Sequence, residues 1–287
     1  MSDYVPIAED GAVLLDGEHD NYGGFIIEPS SLPPHPSVFR GSLRSSISQW
    51  KSELKKGIWL KLPIENAELV PIAVKEGFVY HHAEQEYLML TLWIHESVCT
   101  LPANASHQVG IGALVLNIEN ELLVVQENTG RTKGSGTWKM PTGVVLQGED
   151  IKDAAIREVK EETGVSYKVD TEFIEVFGVR QAHGAAFGKS DLFFICLLRP
   201  LSLEIVFPKD EIEAAQWMPF DDYRSQDFNT NSELLTRVAD IVTAASEGKY
   251  TGFGPEWLCS GLHRRGAYFY HNTRDINNYL EDKRSSL

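Results

Sequence analysis

The residues with the clearest capacity for chemistry lie in one segment of the chain, between positions 143 and 164. Glycines bracket a set of four glutamates and one arginine in the order Gly143, Glu149, Arg157, Glu158, Glu161, Glu162 and Gly164. Glu158, Glu161 and Glu162 stand at i, i+3 and i+4, so a helix places their carboxylates on one face. Like charges at this spacing destabilise a helix, whereas Mg²⁺ binds carboxylate oxygens and keeps positions for water and phosphate oxygens. The segment therefore predicts a metal site that binds phosphate groups.

The glycines and the arginine of this segment have predicted supporting roles. Gly143 allows a tight turn whose carbonyl can approach the metal, and Gly164 can take the left-handed conformation that ends a helix. Arg157 can hold a carboxylate such as Glu149 in a bidentate pair. The alternative is a solvated acidic helix face, which is the usual meaning of a run of glutamates. The spacing of the specified residue types favours the metal site.

The segment resembles the signature box of the Nudix hydrolases at every defined position, with the pattern Gly-x5-Glu-x7-Arg-Glu-apolar-x-Glu-Glu-x-Gly-apolar. The resemblance implies an α/β fold, namely an α/β/α sandwich around a mixed sheet. It also implies cleavage of a diphosphate linked to another group, with Mg²⁺ or Mn²⁺ as cofactor.

The same resemblance assigns roles to the residues of the box. It implies that Glu158 and Glu162 are the principal metal ligands, and that Glu161 is a third or outer-shell ligand. The resemblance further implies that the Gly143 carbonyl is a metal ligand and that Glu161 and Glu162 take part in catalysis. It implies that Glu149 and Arg157 form an orienting pair and that Gly164 is a structural residue.

We expect in-line hydrolysis, in which a metal-bound water attacks the diphosphate and a carboxylate takes the proton. Glu211 is the candidate base, because the family often places a late acid on a mobile loop. It precedes Trp217 by six residues, with Asp210 and Glu213 as neighbours. The alternative is an ordinary exposed loop carboxylate.

Three residues outside the box are candidates for substrate binding. Lys139 and Arg180 flank elements that should approach the site, where either cation can meet a phosphate. The alternative for both is surface charge on edge strands. Phe187, in the glycine-rich stretch 184–188, can stack on adenine, or it can pack in a core or lid.

Further segments resemble the plant cytosolic Nudix subfamily that acts on ADP-ribose and NADH. The matching stretches are 81–84, 87–90, 102–107, 124–127, 138–143 and 188–194. The resemblance implies hydrolysis of ADP-ribose to AMP and ribose 5-phosphate, with NADH next, by a cytoplasmic homodimer. It also implies an amino-terminal domain similar to part of an acetyltransferase fold. Acetyl transfer is not expected, because that region has no glycine-rich pyrophosphate loop.

The order of predicted elements divides the chain. Residues 20–95 read as β-α-β-α-β, and a linker follows at 99–106, so we expect an N-terminal α/β domain at 1–100. A Nudix domain is expected at 101–250 and an aromatic, weakly patterned tail at 251–287. The aromatic residues of that tail (Tyr268, Phe269, Tyr270) also suggest the homodimer.

Composition excludes several classes of function. The chain of 287 residues carries 26 basic and 41 acidic side chains, and its formal net charge is −15. A field of that sign repels phosphate backbones, so no nucleic-acid partner is expected. No apolar run approaches the roughly 20 residues of a membrane helix, and the amino terminus lacks a secretory pattern, so a cytoplasmic protein without a membrane partner is expected.

Two features suggest metal chemistry but are interpreted otherwise. His81 and His82 are adjacent on a predicted strand, so their rings should lie on opposite faces and not share an ion. Cys99, Cys196 and Cys259 are odd in number and widely spaced, so we predict buried thiols.

Two rival functions remain open. The substrate can be another diphosphate, such as a flavin nucleotide, a coenzyme A nucleotide or a prenyl diphosphate, because the box reads only diphosphate and metal. A non-hydrolysing nucleotide sensor is the second rival. It has no need of three mutually repelling carboxylates, which weighs against it.

Overall fold

The computed structural model describes residues 13–130, 132–163, 171–205, 212–259 and 266–285. The chain divides into two compact units, Met1–Ser106 and His107–Leu287.

The first unit is built on a five-stranded sheet. Its elements are β1 Gly17–His19, β2 Phe25–Ile27, α1 Pro36–Ser52, β3 Gly57–Pro63, α2 Val70–Lys75, β4 Val79–Ala83 and β5 Tyr87–Trp93, with 3-10 turns at Pro29–Ser31 and Ile64–Leu69. The strand order is β1-β2-β3-β5-β4, in which only the β2–β3 pair is parallel. The apolar spacing at positions 39, 43, 47, 50 and 54 predicts one buried face of a helix. Phe39, Leu43 and Trp50 are buried on α1, and Ile47 packs beside them. Leu54 follows the end of the helix and is exposed, so that part of the prediction is wrong.

The prediction that His81 and His82 point to opposite faces is wrong. The pairing of β4 with β5 shifts register between Tyr80 and His82, and such a bulge breaks the alternation of side chains. The two Nδ1 atoms lie 2.6 Å apart, with His81 Nε2 at 2.9 Å from the Pro102 carbonyl oxygen and His82 Nε2 at 3.3 Å from the Tyr87 hydroxyl. The two rings therefore lie in one chain of polar contacts that runs from the Pro102 carbonyl to the Tyr87 hydroxyl.

The second unit is an α/β/α sandwich. Its elements are β6 His107–Val115, β7 Glu121–Glu127, β8 Thr142–Val144, α3 Ile151–Thr163, β9 Thr171–Ala182, β10 Ser190–Pro200, β11 Ile212–Pro219, α4 Phe220–Ser225, α5 Asp227–Thr230, α6 Glu233–Ser246, β12 Gly254–Cys259, β13 Gly266–His271 and α7 Thr273–Ser285, with a 3-10 turn at Ala186–Gly188. One sheet has the order β8-β6-β10-β9, with β6 and β10 parallel, and β7 pairs with β11 in a second sheet. The sheet is therefore mixed, as the resemblance implied.

Alternation along β6 separates two cores. Ile111 and Ala113 face α3, whose Val159 is fully buried in the same cluster. Leu114 faces the other side, in the cluster that contains Val238 of α6. The helices thus cover opposite faces of the sheet, because successive side chains of a strand point in opposite directions.

The residues from 251 on are not a weakly patterned tail. They form the β12–β13 hairpin and α7, and they belong to the second unit. Tyr270 packs on the α3-side core, and its hydroxyl accepts a hydrogen bond from the Lys152 amide at 3.2 Å. This contact satisfies a backbone donor in the first turn of α3, which has no partner within its own helix.

Two further observations concern the cysteines and the membrane. Cys196 is buried, but Cys99 and Cys259 are exposed, so the prediction of three buried thiols is wrong for two of them. Within the described ranges, no helix combines the length and the apolar character needed to cross a membrane.

We predict that Tyr270→Phe lowers the free energy of unfolding by about 1 kcal/mol, because the Lys152 amide loses its acceptor. In a unit of this size the melting temperature should fall by about 2–4 °C. Thermal unfolding followed by circular dichroism measures the change. Tyr22→Phe, whose side chain is 83% exposed in the first unit, is the matched control and should melt like the wild type. Equal melting of both variants would contradict a stabilising role for the Tyr270 hydroxyl.

Candidate active site

The site is assembled by β8 and α3. Residues 142–144 pair antiparallel with β6, with Gly143 opposite Ile111. The helix α3 buries Ala154, Ala155 and Val159 against the sheet. This packing fixes the rotation of the helix, and Glu158 is thereby held at the boundary between the core and solvent, with its side chain 13% exposed.

Gly143 serves the site in a different way from the predicted one. It lies inside the extended strand β8, so a tight turn is not the reason for a glycine there. A Cβ atom at this position would collide with the carboxylate of Glu158. Glycine leaves the space in which the acidic side chain lies directly against the backbone of the strand.

Arg157 closes the loop between β8 and α3. Its Nε and Nη2 donate to Oε1 and Oε2 of Glu149 at 2.7 and 2.9 Å, which is the bidentate pair expected from the sequence. Nη2 also donates to the Val144 carbonyl oxygen at 2.9 Å, and Glu149 accepts from the Leu146 amide at 2.9 Å. The hydrogen bond from Arg157 holds the pKa of Glu149 below its usual value.

The same guanidinium draws two of the predicted metal ligands to itself. Arg157 Nη1 donates to Glu158 Oε1 at 2.7 Å and to Glu161 Oε2 at 2.9 Å. Burial raises the pKa of Glu158, and the hydrogen bond from Arg157 opposes that effect. Glu161 is about half exposed, with 53% of its side chain accessible.

Glu162 is the acid that Arg157 does not reach. Its Oε2 atom is enclosed and has no hydrogen-bond partner among the residues that the structure describes, and burial raises its pKa to about 8. A backbone hydrogen bond from Thr142 and the charge of Lys139 lower that pKa, and the charges of Glu127 and Glu158 raise it. An enclosed acceptor without a donor costs free energy unless a cation or proton supplies the partner.

The donor set therefore fits a divalent cation. Carboxylate oxygens are the ligands that Mg²⁺ and Mn²⁺ prefer, and the unpartnered oxygen of Glu162 lies on the helix that carries Glu158 and Glu161. Across the described ranges, no three His, Cys, Asp or Glu side chains already converge as a metal cage. Two of the candidate ligands, Glu158 and Glu161, accept hydrogen bonds from Arg157.

Glu127 is a residue of this site that the sequence did not single out. Its Oε1 lies 2.6 Å from Lys139 Nζ, and both side chains are about one-fifth exposed (23% and 20%). The structure thus places Lys139 beside the carboxylate of Glu127, and its contact with substrate stays a prediction. Residues 124–127 are one of the segments that resemble the subfamily. The sequence around an acid at the end of a strand does not, however, indicate which distant residues that acid will contact.

Arg180 and Phe187 are placed differently. Arg180 pairs with Asp191 and lies 5.0 Å from the centroid of the Phe193 ring, on β9 at the far edge of the sheet from β8. Phe187 is fully exposed at a positive φ of 55°, so it does not pack in a core. A contact of either residue with substrate stays a prediction.

Gly164, Glu211 and Asp210 lie outside the described residues. The assigned roles of Gly164 as helix end and of Glu211 as catalytic base therefore stay predictions. Glu213, the other neighbour of Glu211, lies on β11 with an exposed side chain.

The fold and this site define the class: an α/β/α unit that presents a carboxylate-bearing helix beside a glycine-containing strand. Comparison with known proteins identifies one family. The family model of the NUDIX domain matches residues 106–238, and that of the Nudix hydrolase domain matches residues 15–94 in the first unit. The chain belongs to the Nudix hydrolase family.

Its relatives extend over nearly the whole chain. Nudix hydrolase 2 of Arabidopsis thaliana is 54% identical over 94% of this chain and 94% of that protein. Nudix hydrolase 8 of the same plant is 50% identical over 91% of this chain and 70% of that protein. A human protein named nucleoside diphosphate-linked moiety X motif 6 is 37% identical over 83% of this chain and 75% of its own length.

We predict that Glu162→Gln raises the melting temperature of the chelator-treated protein by a few degrees. The raised pKa means that ionised Glu162 destabilises the fold progressively as the pH rises from about 4.5 to about 8. The gain should therefore be largest near pH 8 and absent near pH 4.5. Added Mg²⁺ should stabilise the wild type and not the variant, because binding needs the ionised carboxylate.

Differential scanning fluorimetry in EDTA and in Mg²⁺ tests this prediction. Glu161→Gln is the matched control on the same helix, and it should gain no stability in EDTA because its carboxylate is exposed. A lower melting temperature for Glu162→Gln in EDTA at pH 8 would contradict the interpretation of Glu162.

Proposed function

We propose that the protein is a divalent-metal-dependent pyrophosphohydrolase that cleaves ADP-ribose to AMP and ribose 5-phosphate, with NADH as a second substrate. The observation that carries the proposal is the enclosed, unpartnered carboxylate oxygen of Glu162 beside Glu158 and Glu161. A human relative bears a name that refers to nucleoside diphosphate-linked moieties, which agrees with this chemical class. ADP-ribose within that class is supported by the subfamily resemblance of the sequence.

The reaction needs one water molecule. Its oxygen forms a bond to one phosphorus of the diphosphate, and the bond from that phosphorus to the bridging oxygen breaks. Both products leave as phosphate monoesters, and the proton of the water passes to a carboxylate. Mg²⁺ or Mn²⁺, when bound, neutralises the diphosphate and lowers the pKa of the attacking water.

The residues of the chain hold and orient the reactants. Glu158 and Glu162 are the proposed metal ligands, with Glu161 and the Gly143 carbonyl beside them. Arg157 holds the strand, the loop and the helix together, because its guanidinium donates hydrogen bonds to a residue of each. We assign proton transfer to Glu211.

Product analysis tests the proposal. Purified protein with ADP-ribose and Mg²⁺ should release AMP and ribose 5-phosphate in equal amounts, resolved by anion-exchange chromatography. Glu162→Gln should lose turnover by at least about 10²-fold, because a metal ligand is removed. Glu211→Gln should lower kcat by about 10²–10⁴-fold with KM little changed, as expected for a general base.

The controls separate the rival functions. NADH, flavin adenine dinucleotide, coenzyme A and a prenyl diphosphate are assayed beside ADP-ribose. Turnover of another diphosphate alone would replace ADP-ribose as the substrate. Binding of ADP-ribose without turnover of any of these would contradict the enzyme and favour the nucleotide sensor. Near-normal turnover by Glu211→Gln would remove that residue from the mechanism.

We also propose that the protein acts in the cytoplasm as a homodimer. Several large apolar side chains of the C-terminal hairpin and α7 are exposed, among them Trp257, Phe269 and Tyr279. Burying such a surface against a second copy would be favourable. Light scattering coupled to gel filtration should give about twice the chain mass of 32.1 kDa, and a monomer mass would contradict the proposal.

A further inference from the structure

The side chains of Glu127 and Lys139 meet at the end of β7. Val125 and Lys139 exchange both of their backbone hydrogen bonds, at 2.9 and 3.0 Å. Glu127 stands two residues further along β7, on the same face, so it is the diagonal neighbour of Lys139. The resulting ion pair joins Oε1 to Nζ at 2.6 Å. Backbone pairing therefore places the two side chains together before any ligand is present.

This pair lies within electrostatic reach of the proposed metal ligands. Lys139 precedes β8 by three residues, and Gly143 of β8 lies directly against the carboxylate of Glu158. The charges of Lys139 and Glu127 also act on Glu162. The pair therefore lies beside the carboxylates that a metal-bound diphosphate would approach. In a chain with a net charge of −15, a cation beside an acidic cluster reduces the repulsion that a phosphate meets there.

Lys139 keeps donors for a ligand. An ammonium group has three N–H donors, and within the described residues the ion pair with Glu127 engages one. The other oxygen of Glu127, Oε2, accepts a hydrogen bond from the Thr132 hydroxyl at 3.4 Å. The carboxylate is thus held from the side of the loop while it holds the lysine.

We propose that Glu127 is a positioning residue for the diphosphate, because it orients the Lys139 ammonium to donate to a phosphate oxygen of substrate bound beside Glu162. The inference rests on the proposed function for the identity of the substrate. It goes beyond that function because it places a β7 carboxylate, outside the signature box, in phosphate binding.

Two other roles for Glu127 make different predictions. A metal ligand would be needed for stabilisation by Mg²⁺, as Glu162 is. A purely structural tie of the loop 128–137 would affect thermal stability but not phosphate binding. Neither role would make the effect of Glu127 depend on Lys139.

Calorimetric titration of the full chain with ADP in Mg²⁺ tests the proposal. ADP carries a diphosphate, and chromatography after each titration shows whether it stays intact. Glu127→Gln and Lys139→Gln should each weaken ADP binding about tenfold, as expected for a charge-assisted hydrogen bond. The double variant should bind no more weakly than Lys139→Gln alone, because Glu127 acts through the lysine.

Three controls accompany the titrations. Lys139→Arg should retain most of the affinity, because it keeps the charge. Glu121→Gln, at the other end of β7, removes a carboxylate that accepts a hydrogen bond from Asn117 Nδ2 at 2.8 Å, and it should bind ADP like the wild type. Stabilisation of Glu127→Gln by Mg²⁺ should equal that of the wild type.

Several results would overturn the inference. Loss of Mg²⁺ stabilisation in Glu127→Gln would make Glu127 a metal ligand. Unchanged ADP affinity in that variant, additive losses in the double variant, or no binding of ADP by the wild type would each exclude a positioning role.

Failure of the proposed function is distinguishable from these results. ADP binding that depends on the Glu127–Lys139 pair, without turnover of any diphosphate, would leave the inference standing and remove the hydrolase. ADP-ribose turnover with a KM unaffected by Glu127→Gln would support the hydrolase and exclude the positioning role of Glu127.

Discussion

The arrangement of the site depends on the charge of Arg157. Three carboxylates on one helix face repel one another, and a fourth lies on the loop before the helix. The guanidinium donates to Glu149, Glu158 and Glu161 and to the Val144 carbonyl oxygen, so one cation reduces the repulsion among three acids and ties the strand to the helix. A lysine could not do this, because the planar fork of five donors spans partners that a point charge cannot reach together.

Glu162 is not among the acids that Arg157 contacts, and its burial lowers the stability of the fold. The apolar face of α3 and the strands beneath it bury Ala155, Val159 and Ile111, and this packing stabilises the helix although its outer face is acidic. The same packing encloses one oxygen of Glu162 and raises its pKa to about 8. The burial that favours binding of a divalent cation therefore destabilises the fold when no cation is bound.

Gly143 of β8 lies in direct contact with the carboxylate of Glu158. Glu158 reaches its position only because Gly143 has no Cβ, and the strand that carries Gly143 is held by pairing with β6. The acid, the glycine and the arginine are thus interdependent. A change at any one of them alters the contacts of the others.

The sequence alone determined the local features of this protein. The spacing of the acidic residues predicted a helix with Glu158, Glu161 and Glu162 on one face, and α3 is that helix. The spacing of the apolar residues predicted the buried stripe of α1. These follow from periodicity, which depends only on residues a few positions apart. The signature box identified the family for the same reason, because its chemistry lies within a single loop and helix.

Only the tertiary structure decided what depends on distant neighbours. The enclosure of Glu162, the contact of Glu127 with Lys139 and the packing of Tyr270 on the core join residues from separate elements. The bulge that turns His81 toward His82 is equally invisible in the sequence, because it arises in the pairing of two strands. Burial, charge and register are set by whole-fold packing, and the alternation of side chains along one segment does not specify them.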